Sequence, residues 1–129
     1  MKRAFTNILC DDPSKVALFY EAVLGMRRHA DFGWFIILTH DDMPGMEFGL
    51  LDASHETVPE GAIPTPSGVM LTFVVDDAEA CFQRAQDAGA VVVEPPTDMA
   101  YGQRRMVVKD PAGTLVDISA PIAPAPNPG

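Results

Sequence analysis

The sequence predicts an α+β fold: two tandem βαβββ modules whose curved sheets form a cleft. Three observations carry this. Each half runs strand, helix, then three short strands. The halves repeat with nearly constant spacing, 65 residues from Asp12 to Asp77 and 64 from Gly25 to Gly89. A period of that length marks an internal structural repeat. Finally, a sheet with one helix buries only one of its faces, so its other face needs a partner.

The first half opens with "AFTNILC". Thr6, Ile8 and Cys10 alternate onto one face, and Phe5, Asn7 and Leu9 onto the other. Asp12 suits a helix N-cap and Pro13 the first helical position. Val16, Phe19, Tyr20 and Val23 then recur at helical spacing, and Gly25 supplies a left-handed stop. Strands are expected at "MRRHA", "WFIILTH" and "MEFGLLD", with turns at "DFG" and "DDMPG".

The second half repeats the order. "VMLTFVV" places Leu71, Phe73 and Val75 opposite Met70, Thr72 and Val74. Asp76 and Glu79 have capping-box spacing. Ala78, Cys81, Phe82 and Ala85 make the helical stripe, ended by Gly89. Strands follow at "AVVVEP", "RRMVVKD" and "TLVDIS", with "DPAG" as a type I turn. One domain over residues 1–120 therefore divides into modules at about 3–53 and 68–120, joined by a loop over 54–67 rich in Pro and Gly. The segment 121–129, "PIAPAPNPG", reads as an extended tail.

At 129 residues, 47% hydrophobic and 21% charged, the chain has the composition of a soluble globular domain. It contains no apolar run long enough to span a membrane and no signal-peptide pattern, so a cytoplasmic location is expected. Cys10 and Cys81 read as small buried hydrophobes. The formal net charge of −9 argues against nucleic acid, which demands clustered Lys and Arg, and would suit a cationic ligand. No Walker loop, dinucleotide fingerprint or nucleophile elbow is present.

The stretch from Asp12 through "FYEAVLG", with "VVDDAEACFQRAQDAGA", "YGQRR" and "DPAGTLVDIS", resembles the vicinal oxygen chelate superfamily. This group contains glyoxalase I, bleomycin and fosfomycin resistance proteins and extradiol dioxygenases. The likeness runs from Arg3 to Ala120. It implies paired βαβββ modules, a U-shaped cleft, dimerisation in small members and, in the enzymes, a divalent metal held by His, Glu or Gln on the first and last strands of each module.

Carried onto this chain, those metal positions are mostly empty of ligands. Seven residues before the helix-opening aspartates stand Phe5 and Met70. Phenylalanine cannot bind a metal, and a thioether is a poor ligand for the divalent ions of this superfamily. Four residues after the turn glycines Gly45 and Gly113 stand Gly49 and Asp117. Glu47 shares the strand parity of Gly49 and could take its place. His29, His40 and His55 lie at none of these positions and read as surface or turn residues. No cofactor is expected, and a divalent metal could rely only on Glu47, Asp117 and water.

Glu47 and Asp117, if they converge, could form an acid–base pair, because neighbouring carboxylates shift one another's pKa. "YGQRR" places Tyr101, Gln103 and Arg105 on one face, so Arg105 could fix an anionic group. With Phe5, Asn7, Trp34 and Met70, these residues make the expected ligand site: an apolar cavity with a few polar groups. The expected function is metal-independent binding of a small molecule by a homodimer, as bleomycin resistance proteins sequester a cationic drug. The alternative is a glyoxalase-like lyase or isomerase using an atypical metal or the carboxylate pair. A third reading is an accessory domain that binds a protein, and the residues leave open whether the chain is a catalyst.

Overall fold

The computed structural model describes residues 1–122; the tail beyond Ile122 lies outside the described residues. The first module contains β1 (Thr6–Cys10), α1 (Pro13–Leu24), β2 (Arg27–Asp31), β3 (Phe35–His40) and β4 (Met43–Asp52). The second contains β5 (Met70–Val74), α2 (Ala78–Asp87), β6 (Val91–Asp98), β7 (Gln103–Lys109) and β8 (Leu115–Pro121). Residues 53–69 join them without helix or strand.

The two sheets have the same topology, β1-β4-β3-β2 and β5-β8-β7-β6. In each, the first strand runs parallel to the last, Thr6 beside Phe48 and Met70 beside Leu115, and the other pairs are antiparallel.

The ends of α1 are written in the chain. Asp12 Oδ1 accepts the Lys15 N–H at 3.2 Å, Pro13 occupies the first turn, and Gly25 adopts a left-handed φ of 68°. In α2 the cap is Asp77, the aspartate of the repeat spacing, rather than Asp76 of the capping-box spacing, with Oδ1 accepting the Ala80 N–H at 3.0 Å.

The segment "DDMPG", expected as a turn, is one only in part. Only Asp41 and Asp42 turn, and Met43–Gly45 already belong to β4. The pairing of β3 with β4 is irregular between Leu38 and His40, and a proline is tolerated where the ladder is interrupted. Smaller differences follow the same pattern: β6 and β8 extend past "AVVVEP" and "TLVDIS" to Asp98 and Pro121.

The strands alternate as expected. Ile8, Cys10, Ile36, Leu38, Phe48 and Leu50 point to α1, and Met106, Val108, Val116 and Ile118 point to α2. The helices also pack on each other, so the modules share one core. Among the described residues, two side-chain hydrogen bonds cross between them. The Tyr20 hydroxyl, fully buried, donates to Asp110 Oδ2 at 2.6 Å. Arg84 Nε donates to the Val23 carbonyl at 3.1 Å, answering a backbone acceptor at the end of α1.

Except for Tyr101, the residues expected at the ligand site stand on the sheet faces away from the helices or beside them.

Candidate functional site on the outward sheet faces

On the first sheet, alternation places Asn7 and Leu9, Phe35, Ile37 and Thr39, and Glu47, Gly49 and Leu51 on the outward face. Phe5 continues the β1 alternation one residue before the strand and stacks on Phe35, with ring centroids 6.4 Å apart. The file of rings continues through Trp34, 5.7 Å from Phe35, to His55 of the linker. The Trp34 and His55 rings are nearly parallel at 3.7 Å.

Gly49, between Asn7 and Phe35, is the position that would carry a metal ligand. Its missing side chain has been replaced by its neighbours. A Cβ there would lie 2.2 Å from Asn7 Oδ1 and 2.6 Å from Phe35 Cε1. The space is therefore filled by an amide and an aromatic edge.

Glu47 does not take over the role. Arg3, from the chain just before β1, donates to both its oxygens, Nε to Oε2 at 2.6 Å and Nη2 to Oε1 at 2.5 Å. These bonds, with the charge of the guanidinium, hold the Glu47 carboxyl below the usual range; His29 adds a smaller pull in the same direction. The Arg3 guanidinium carbon also sits 4.8 Å from the centre of the Phe5 ring, a cation–π contact.

Beside this pair is an open cavity of about 530 Å³, lined by Arg3, Arg27, His29, His40, Asp41 and Glu47 among others. Arg3 and Arg27 were not among the expected site residues, and His29 and His40, expected as surface or turn residues, both line the cavity. Arg3 lies outside every predicted element. His29 is the extra residue of a β-bulge: Arg28 pairs with Leu38 and Ala30 with Ile37, leaving His29 unpaired. A bulge resets the alternation of a strand, which no residue pattern in "RRHA" announces.

On the second sheet, the outward face carries Met70 and Thr72, Arg105, and Asp117 and Ser119. Asp117 Oδ1 accepts the Ser119 hydroxyl at 2.7 Å and Oδ2 the Thr72 hydroxyl at 3.1 Å. Arg105 Nε is 3.6 Å from Asp117 Oδ1, an ion pair too long for a good hydrogen bond, and Arg105 Nη2 reaches Met70 Sδ at 3.9 Å. Tyr101 is not on the strand; it is exposed in the turn before β7.

Glu47 and Asp117, expected to converge, are each held by an arginine. They stand on different sheets, each with partners from its own module. Of the four positions where a metal ligand belongs, Phe5, Gly49, Met70 and Asp117, only Asp117 offers an oxygen. Among the described residues, no group of three or more His, Cys, Asp or Glu side chains comes together. These residues do not fit a divalent ion, which takes three protein ligands in a typical catalytic site.

Two four-stranded sheets built from repeated βαβββ units, each unit with one helix, define the class. The sequence pattern of the Glyoxalase/Bleomycin resistance protein/Dioxygenase superfamily matches residues 3–118, and the chain belongs to this superfamily.

Among curated proteins, it is 31% identical over 130 residues to the Mycobacterium tuberculosis protein named "Putative glyoxylase CFP32", an alignment covering 95% of this chain and 44% of that protein. It is also 36% identical over 88 residues to the uncharacterized protein Rv0887c of the same species, covering 68% of this chain and 48% of that one. The chain thus spans less than half the length of these relatives.

Among solved structures, a glyoxalase-related enzyme from Fulvimarina pelagi superposes with a TM-score of 0.78 at 19% identity, covering 93% of this chain and 88% of that one. A superfamily enzyme from Burkholderia phytofirmans gives 0.74 at 20% identity, covering 92% and 97%. At these identities the likeness is one of fold. No described helix is long and apolar enough to cross a membrane.

Proposed function

We propose that this chain is a small-molecule-binding member of its superfamily that holds its ligand against the outward sheet faces without a divalent metal. The observation that carries this is the state of the first module's metal position. Asn7 and Phe35 fill the space above Gly49, while Arg3 claims both oxygens of Glu47. What is left is an aromatic wall, Phe5–Phe35–Trp34, with a few placed polar groups beside it. Ligand sites in general have that make-up.

The enzymatic alternative, a glyoxalase-like lyase or isomerase, needs two carboxylates at one substrate. In the single chain each carboxylate is already answered by an arginine of its own module.

The reading includes a homodimer, in which a second copy covers part of the open faces. Exposed Phe5, Met70, Val74 and Val91 give those faces apolar surface to bury. Analytical ultracentrifugation tests this part, and a monomer at high micromolar concentration refutes it.

Metal analysis of untagged protein, with the Glu47→Ala/Asp117→Ala double variant alongside, tests the central point. The expected result is no stoichiometric divalent metal in either protein. Stoichiometric metal in the parent that disappears in the variant would overturn the reading.

A further inference from the structure

The net charge of −9 suggests a cationic ligand. The cavity beside Glu47 has the opposite character. Both of its carboxylates are already engaged: Glu47 by two bonds from Arg3, and Asp41 Oδ1 by Arg27 Nε at 2.5 Å. The nitrogen donors are not used up. Arg27 makes no other hydrogen bond among the described residues, so both its Nη groups are uncommitted. His29 has no hydrogen-bond partner among them either. His40 Nδ1 accepts the Asp42 N–H at 3.0 Å, which leaves Nε2 as the donor of the neutral ring.

The sheet order adds geometry. With β1 and β2 at opposite edges of the sheet, Arg3 and Arg27 approach the cavity from its two sides, over the central strands that carry Thr39 and Glu47. Arg3 does two things at once: it cancels the charge of Glu47, which would otherwise repel an anion, and it retains Nη1 free.

We propose that this cavity binds the oxyanion group of a small molecule, a carboxylate or a phosphate, between Arg3 and Arg27, with His29 as a further donor. The proposal rests on the reading of the first module's outward face as a ligand surface and adds the class of ligand. Guanidinium groups match planar oxyanions bidentately, and a volume of about 530 Å³ suits a small organic molecule. The ring file starting at Phe5, directly under Arg3, offers an apolar wall for the remainder of such a molecule.

Four probes of similar size test it on the full chain: benzoate, phenyl phosphate, benzamide and benzylamine, titrated by amide NMR shifts. The two anions are expected to perturb the β2–β4 residues and to bind at least about tenfold more tightly than the neutral and cationic probes. One charge-assisted hydrogen bond is worth that much.

Arg27→Gln should weaken both anions by about tenfold or more and reduce their salt dependence, and His29→Gln should weaken them by a smaller factor. Arg27 is exposed, so the variant should stay folded. A preference between benzoate and phenyl phosphate names the oxyanion and supports the site.

Four probes binding alike would leave the ligand surface standing and overturn the oxyanion site. So would tighter binding of benzylamine, or anion affinities unchanged in Arg27→Gln. No perturbation of the first sheet by any probe would overturn both.

Discussion

Replacing Tyr20 with Phe removes a single hydroxyl from the centre of the molecule. The ring itself has every reason to stay. It packs edge-on against Phe19 and Phe48 at centroid distances of 5.1 and 4.8 Å, and lies 6.0 Å from Phe73 of the other module. What disappears is the bond to Asp110 Oδ2. The other oxygen keeps its backbone donors, Ala112 N at 2.9 Å and Thr114 N at 3.0 Å.

A buried hydrogen bond to a carboxylate is worth about 1.5–3 kcal/mol, because its loss leaves a charged acceptor short of a donor away from water. Unfolding entropies of about 2.1 cal/mol/K per residue give about 0.27 kcal/mol/K for a chain of 129 residues. The melting temperature of Tyr20→Phe should therefore fall by about 6–11 °C in a calorimetric scan at neutral pH.

The same bond sets a pH signature. Burial first, then the charge and the hydrogen bond of Asp110, raise the Tyr20 phenol far above its ordinary value. A raised pKa in the folded state means that stability is fully present below the unfolded value of about 10 and drains as pH rises beyond it, because only the unfolded chain can release the proton. Parent protein should thus lose stability more steeply above about pH 10 than Tyr20→Phe does. A shift below about 2 °C at neutral pH, together with parallel alkaline profiles, would refute the view of this bond as a latch between the modules.

Three further outcomes follow from the packing. Gly49→Ala should destabilise by about 1–3 kcal/mol in denaturant titration, since Asn7 and Phe35 must both move from the new methyl. Burial, with the charge of Asp110 next, pushes the Cys10 thiol up to about 11, and burial also raises Cys81. Both thiols should stay unreactive to an aromatic disulfide reagent at pH 8 until denaturant is added. Arg3→Gln should raise the pKa of the Glu47 carboxyl towards its ordinary value, measurable by side-chain carbon NMR, because the two hydrogen bonds that lower it are gone.

The fold was legible where local chemistry and long-range packing agree. Asp12, Pro13 and Gly25 delimit α1 by capping and backbone preference alone, and the apolar alternation of β1 and β5 needs no tertiary information. Asp76 and Asp77 stand side by side and either can satisfy a helix start: the capping-box spacing pointed to Asp76, the repeat spacing to Asp77, which is the cap.

The site was harder to read for two reasons. The histidine in β2 reaches the cavity through a bulge, a backbone irregularity that depends on pairing with β3 rather than on its own segment. The Arg3–Glu47 pair joins residues 44 apart through the parallel pairing of β1 with β4, and Tyr20 meets Asp110 across 90 residues. Parity predicted which face Glu47 and Asp117 occupy. It could not predict that each would be met there by an arginine, because that depends on how the two strands flanking each carboxylate are aligned.

Gly49 has a consequence for the engineering of this chain. Its neighbours on the sheet have moved in over the bare backbone, so a glutamate placed there by one codon change would arrive in space already taken by Asn7 and Phe35. A metal site could be built there only through a concerted exchange, a larger residue at 49 with smaller ones at 7 and 35, and a histidine in place of Phe5. Each of those steps taken alone lowers stability or removes part of the aromatic wall. A ligand at position 49 therefore has to be built together with the room for it, not added by one substitution.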